Sequence, residues 1–423
     1  MSILSQFKQS QNTDFPNVRP SLDLRFALAK KLDPRITFTR GSTGTYFGPD
    51  GLMKTAIANE PRFDHDPITG QSLGLLIEES KQNYELYSGD PTQWTSNTNM
   101  TLTGNSIVLP DGTTSTNVEY RGTDSGANIK LLRPGPSGAA VVAGETWTFS
   151  IFLRAGTEQT VHLNFQNQTG GDSVGSTFNL VTGQFSGSIA GTNAANGSRG
   201  FQYFGNGWYR VWLTNTYQSS SGSQQTFVRL RTNSATVQFT TSFSAWGAQL
   251  EKGAFPTSYI PTTASTVTRS ADNASMTETN FSSWYNSTEG TVFCSFKTDG
   301  ISGNPRTFQL TGNNQNERLD HRIVGNINGS EYYTGSINFG RISDSGVTNP
   351  SQGKITVSQN SRSRQFCMNG RTVSSATIPN APAVNTLIIG NYNLQATYLN
   401  GTISRLTYYP IQLTNQQLIN LSS

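Results

Sequence analysis

A period-two alternation of large and small side chains runs through the middle of this chain. Trp147, Phe149, Ile151 and Leu153 alternate with Thr148, Ser150 and Phe152, and Val161, Leu163 and Phe165 alternate with His162, Asn164 and Gln166. Successive side chains on an extended backbone point to opposite faces, so this spacing predicts strands with one face in a core. Thr226, Val228 and Leu230 repeat the pattern against Phe227, Arg229 and Arg231. Trp208-Tyr209-Arg210-Val211-Trp212-Leu213 carries large residues on both parities, which predicts a strand covered on both faces. Composition closes off the helical alternative. Only 13% of the 423 residues are charged, whereas long helices draw on Glu, Lys and Arg for propensity and exposed ion pairs. Glycine supplies 41 residues, suited to turns, and the 10% of aromatic residues argue for a packed core rather than disorder. The chain is expected to be all-β.

Charge and cysteine content narrow the function classes. The formal net charge of +4 is spread thinly, with no Lys/Arg cluster to follow a phosphate backbone, so nucleic acid is not an expected partner. Arg362 and Arg364 form the densest basic run and read as a solvated strand end. Two cysteines, Cys294 and Cys367, are no disulfide framework, and each sits in a strand-like run that predicts a buried free thiol. Residues 1–19 contain no apolar core of a signal peptide, so none is expected. No apolar stretch approaches the roughly 18 residues of a membrane-spanning helix, so no membrane insertion is expected.

Punctuation along the chain suggests four segments. Residues 1–20 are polar and broken by Pro16 and Pro20, as in an extended arm. Leu22, Leu24, Phe26 and Leu28 alternate as a strand would, as do Ile36 and Phe38, and turns are predicted at Gly48-Pro49-Asp50-Gly51 and Asp66-Pro67-Ile68-Thr69-Gly70. The region 1–90 is too thin for a core of its own and should pack on a neighbour. Residues 91–262 carry the cleanest strands and predict a jelly-roll sandwich, 263–285 read as a Thr/Ser/Ala-rich linker, and 286–423 predict a second sandwich. There Asn369-Gly370 is a type I′ hairpin signal, and Leu387-Ile388-Ile389 and Thr402 to Leu406 read as strands. One short helix is expected at the C-terminus. Thr414 and Gln417 have capping-box spacing, and Leu413 and Leu418 form the matching hydrophobic staple.

Several motifs resemble a known family. Leu32-Asp33-Pro34-Arg35-Ile36-Thr37-Phe38-Thr39-Arg40, Gly44-Thr45-Tyr46-Phe47, Asn59-Glu60-Pro61-Arg62-Phe63-Asp64 and Gly74-Leu75-Leu76-Ile77-Glu78-Glu79 resemble the N-terminal region of tailed-bacteriophage virion proteins of the tail-fibre or head-spike-fibre type. Gly205-Asn206-Gly207-Trp208-Tyr209-Arg210, Trp246 to Gly253 and Thr257 to Thr262 resemble a carbohydrate-binding-module jelly roll. Met368-Asn369-Gly370, Ile389-Gly390, Asn400-Gly401-Thr402-Ile403 and the closing helix resemble a concanavalin A-like, laminin-G-like sandwich. The resemblance implies a small β-rich virion-anchoring region at 1–90 followed by the two antiparallel sandwiches. It implies a homotrimer on the virion surface, assembled in the host cytoplasm. Its partners would be other virion proteins, met through the N-terminal region, and host cell-surface glycan. Tail fibre or tail spike is the leading expectation. A head fibre or capsid decoration protein acting only through protein contacts is the alternative, and a glycan depolymerase the second.

The residues themselves carry little catalytic signal. Glucanases of the concanavalin A-like class place paired carboxylates a few residues apart on one strand, and 286–423 holds no such run. Its acids, Glu289, Asp299, Glu317, Asp320, Glu331 and Asp344, are scattered, so no enzyme activity is expected. Asp64-His65-Asp66 reads as a solvated turn rather than a metal site, and Glu317, Asp320 and His321 read as a loop beside a strand. No cofactor is expected, since neither a phosphate-binding loop nor a dinucleotide fingerprint is present. Sugar binding needs an aromatic ring to stack on a pyranose and amide or guanidinium groups for the hydroxyls. Tyr332, Tyr333, Asn391 and Tyr392 lie among glycines, serines and asparagines and are the candidate carbohydrate-binding residues. Trp208, Trp212 and Trp246 are expected in the core.

Overall fold

The computed structural model describes residues 14–423 apart from 97–99, 104–105, 116–118, 125–129, 134–138, 168–170, 221, 231–238, 302, 314–315, 325–326, 345–351 and 394–396. Strand dominates, and helix is confined to short segments such as the C-terminal one. The chain divides into two compact units with interleaved paths. One comprises Met1–Thr39, Ser72–Glu79 and Asp272–Ser423, the other Arg40–Gln71 and Ser80–Ala271.

The second of these holds two six-stranded antiparallel sheets. One runs Gly197–Tyr203, Trp208–Thr216, Thr146–Ala155, Phe239–Lys252, Glu119–Asp124, Met100–Thr103; the other runs Gln184–Ala190, Ser173–Asn179, Thr160–Asn167, Gln224–Leu230, Lys130–Arg133, Thr95–Ser96. Trp147, Phe149, Ile151 and Leu153 share one buried cluster with Val161, Leu163, Phe165, Val174 and Phe178. The alternation read at 147–153 and 161–165 is therefore the seam between the sheets. Phe152, on the opposite parity, is also buried, in a second cluster with Phe204, Trp208, Trp246 and Tyr259. That explains why Thr146–Ala155 is covered on both faces. The pairing of this strand with Phe239–Lys252 slips between Ser150 and Phe152. Gly247 sits there at φ 63, and a Cβ on it would come within 2.8 Å of the Phe152 ring, so a bulge with glycine is what this site accommodates. Thr226 is buried, whereas the side chains of 227–231 lie outside the described residues.

The other unit is a second antiparallel sandwich. One sheet contains Ser374–Thr377, Ser363–Met368, Gln352–Gln359, Gly290–Thr298, Gly401–Tyr409 and Ser72–Ile77 in that order, with Leu22–Leu24 also pairing Gly401–Tyr409. The other runs Thr37–Thr39, Asn273–Thr277, Thr386–Ile389, Arg306–Thr311, Arg318–Val324, Ile327–Thr334, Ile337–Asp344. Asn369 and Gly370 have φ of 49° and 67°, and Arg371 N–H donates to the Met368 carbonyl at 3.0 Å, closing the expected hairpin turn. The helix Asn415–Ser422 carries the capping box: Gln417 N–H reaches Thr414 Oγ1 at 3.4 Å, and Thr414 N–H reaches Gln417 Oε1 at 3.1 Å. Leu413 and Leu418 are buried together beneath it with Cys367 and Tyr409.

Three sequence expectations take a different form. Residues 1–90 make no body of their own and are divided between the two units, because the strands at 22–24 and 72–77 complete the sheet around Gly401–Tyr409. The 263–285 linker contains the strand Asn273–Thr277, whose Ala274 and Met276 are buried; small polar neighbours hid the period. The alternation from Leu22 ends at Leu24, and Phe26–Ala29 is one helical turn that leaves Leu28 73% exposed. Both cysteines are buried free thiols.

Candidate functional site

The strand Arg318–Val324 sorts its side chains by parity. Leu319, His321 and Ile323 face the interior. The His321 ring stacks on Phe366 with centroids 5.7 Å apart, and its Nδ1 lies 3.0 Å from Thr307 Oγ1. Burial pushes this imidazole down to about 3, so it is neutral near pH 7. Arg318, Asp320 and Arg322 take the other face. Register then writes a polar row across the sheet: Asp320 lies opposite Gln309 on one side and Glu331 on the other, and Glu331 lies opposite Arg341.

Arginines clamp the acids of that row. Arg306 Nε donates to Asp320 Oδ2 at 3.0 Å, and Arg318 Nε is 3.6 Å from the same oxygen. Glu331 accepts from Arg318 Nη2 at 3.2 Å and pairs with Arg322 Nη2 at 2.7 Å. Burial pushes the Asp320 carboxyl up against the pull of Arg306, and the neighbouring Glu331 charge pushes the same way. Aromatic rings sit on the guanidinium groups. Arg318 lies 3.5 Å from the Tyr333 ring centroid and 5.6 Å from that of Tyr392, and Arg306 lies 4.0 Å from Tyr392.

The four candidate sugar-binding residues part company here. Tyr333 and Tyr392 meet around Arg318 and are half-buried, and Asn338 Nδ2 donates to the Tyr333 hydroxyl at 2.7 Å. Tyr332, one residue before Tyr333, must take the opposite face of the strand. It is buried against Phe339 and Arg364, and its hydroxyl donates to the Asn380 carbonyl. Asn391 is also buried, its Nδ2 directed at the Asp272 carbonyl and at Asn273 Oδ1. Neither reaches solvent. The sequence alone assigns no site role to Arg306, Arg318, Arg322 and Arg341, nor to Asp320 and Glu331. The signal lies in the alternation Arg318-x-Asp320-x-Arg322 and Glu331-x-Tyr333, which an expected loop at Glu317, Asp320 and His321 conceals.

The remaining candidates resolve as structure. Glu317 caps a turn, accepting from Ala383 N–H at 3.0 Å and Thr334 Oγ1 at 3.2 Å. Asp64-His65-Asp66 is half strand: His65 is buried with Nδ1 2.9 Å from the Phe47 carbonyl, while Asp66 Oδ1 caps the following turn through Thr69 N–H at 2.8 Å. Trp208 and Trp246 are buried, and Trp212 is half-buried. In the jelly-roll unit, Phe201 and Tyr203 stand exposed on the edge strand Gly197–Tyr203, beside Tyr209 at 6.1 and 4.8 Å. Among the described residues no group of three His, Cys, Asp or Glu could hold a metal ion, and no helix is long and apolar enough to cross a membrane.

No family model matches the chain, and no curated protein matches it. Among solved structures, it is similar to the carbohydrate-binding module CBM40 of the Ruminococcus gnavus IT-sialidase bound to α2,3-sialyllactose. That match has 15% identity, covers 33% of this chain and 84% of that one, and has a TM-score of 0.29. It is also similar to domains LG4-5 of the mouse laminin α1 chain, with 9% identity over 79% of this chain and 88% of that one and a TM-score of 0.21. The LG1-3 region of the laminin α2 chain matches at 9% identity, 69% and 66% coverage and a TM-score of 0.25. The architecture described above rests on its own sheets and registers rather than on these likenesses.

Proposed function

We propose that this chain is a non-catalytic virion structural protein of a tailed bacteriophage, a tail fibre or tail spike that adsorbs to host-surface glycan. The observation that carries the binding part is the outward face of the Arg306–Asp344 strands, where Tyr333 and Tyr392 stand half-exposed on a bed of guanidinium groups. Rings braced from beneath lose little freedom when a pyranose stacks on them. The phage part rests on the motif resemblance at residues 32–40, 44–47, 59–64 and 74–79. On that reading the N-terminal region joins other virion proteins, the protein is a trimer, and weak single-site affinity is multiplied by copy number. A head fibre would share the same sandwiches with protein contacts alone.

Burial of one acid pair weighs against the depolymerase alternative. Asp320 and Glu331 are cross-strand neighbours, as a retaining pair could be, but they are 0% and 3% exposed and tied to arginines. The test is retention of the protein on immobilised host-surface polysaccharide, with Tyr333→Ala and Tyr392→Ala alongside. Each variant is expected to be retained about tenfold less, as one lost aromatic contact implies. Equal retention of both variants would remove the site, and no retention of the parent protein would remove the glycan reading.

A further inference from the structure

Among the described residues the same face carries more positive charge than its acids can balance: Arg306, Arg318, Arg322 and Arg341 share it there with Asp320 and Glu331. Both acids are already committed to Arg306, Arg318 and Arg322. Arg341 has no acceptor among the described residues, and its Nη1 is buried without a partner. Its stem lies over Gly329, where an added Cβ would come within 2.9 Å of Arg341 Cγ and Cδ. Gly329 is opposite Arg322 in the register, so the absent side chain is what lets Arg341 lie down toward Arg322. Partial burial, and after it the Arg322 charge, hold the Arg341 pKa below its usual value against the opposing pull of Glu331. Toward the sheet edge, then, two like charges sit together, one of them half-exposed and unpaired, on the face where Tyr333 covers Arg318.

We infer that the Arg322–Arg341 pair is an anion subsite and that the glycan taken by this face is acidic, presenting a carboxylate, sulfate or phosphate to the two guanidinium groups. This rests on the glycan reading above and specifies its substrate class. A planar guanidinium offers two parallel N–H donors to an oxyanion, and an anion placed between two arginines removes their mutual repulsion as it binds. Neutral sugars would stack on Tyr333 without that gain.

The experiment is a glycan array bearing carboxylated, sulfated and phosphorylated oligosaccharides beside neutral ones. It is probed with the full chain and with Arg341→Gln, which keeps the stem and removes the charge. Binding is expected to be confined to acidic glycans, to weaken as salt rises, and to fall about tenfold in Arg341→Gln, a loss of one charge-assisted contact. The melting temperature of the variant should be close to that of the parent, since Arg341 makes no hydrogen bond or ion pair among the described residues. Preference for neutral glycans, or acidic binding untouched in Arg341→Gln, overturns the anion subsite and leaves the glycan reading standing. An array on which nothing binds overturns the glycan reading and this inference with it.

Discussion

Asp320 is the residue on which the outer face of the second sandwich turns. Its carboxylate is fully buried and neutralises two arginines, so Asp320→Ala leaves Arg306 and part of Arg318 buried without a counter-charge. Breaking one side of a buried pair typically costs about 3 kcal/mol or more, and a drop of that order in urea-unfolding free energy is expected. His321, its neighbour on the core side, gives a pH signature. Its folded pKa of about 3 lies below the ordinary 6.5, so between those values the unfolded chain binds a proton that the folded chain refuses. The stability this contributes is complete above pH 6.5 and is lost as the pH falls through the window. Asp320, with its pKa raised, works in the opposite sense, losing stability as the pH rises above 3.8. His321→Gln is therefore expected to flatten the fall in urea midpoint between pH 6.5 and 4, with little change in slope above pH 7. Arg364 is a different case. Buried and bonded to the carbonyls of Ser330, Phe339 and Gly340, its guanidinium is pushed down to about 10 and remains charged at neutral pH. Nothing at residue level in the sequence marked it as more than a surface arginine, because its acceptors are backbone atoms on distant strands.

At the scale of the element, local signals were legible wherever the partner lay nearby in sequence. The capping box at Thr414 and Gln417, the hairpin at Asn369-Gly370 and the turn at Gly48–Gly51 all involve contacts a few residues apart, and each forms as expected. Thr414→Ala should cost about 1 kcal/mol, the ordinary worth of an N-cap, read as a lower urea midpoint. The elements misread from sequence were those whose identity depends on a distant neighbour. Asn273–Thr277 looks like linker because Asn, Ser and Thr dilute its two apolar residues; the strands at Thr37–Thr39 and Thr386–Ile389 supply the hydrogen bonds that make it a strand. Arg318–Val324 looks like a charged loop, since half its face is ionic, and only the register shows that Glu331 stands opposite Asp320. The same blindness split the candidate site. Tyr332 and Tyr333 could be picked as a pair, but which one faces out depends on a parity set across the sheet.

For the whole molecule, the sequence made the all-β class and the two sandwiches readable, through strand periodicity and scarce charge. The path of the chain was not readable, because Leu22–Leu24 and Ser72–Ile77 both pair with Gly401–Tyr409, more than three hundred residues on by the numbering. A consequence follows for dissection. A fragment spanning 286–423, the boundary suggested by sequence, lacks the strands at 22–24, 37–39, 72–77 and 273–277, and with them buried Leu22, Leu24, Leu75, Ile77, Ala274 and Met276. It is expected to show no cooperative thermal unfolding by circular dichroism, whereas the full chain should. On the proposed function, the strand-built surfaces hold a glycan without altering it; among the described residues, the Asp320 and Glu331 carboxylates of the candidate face are buried under arginines. The most direct test of that reading is to incubate the purified protein with host-surface polysaccharide and compare the size distribution of the bound material with that of the input. The account predicts capture of chains at unchanged length; progressive shortening would contradict it.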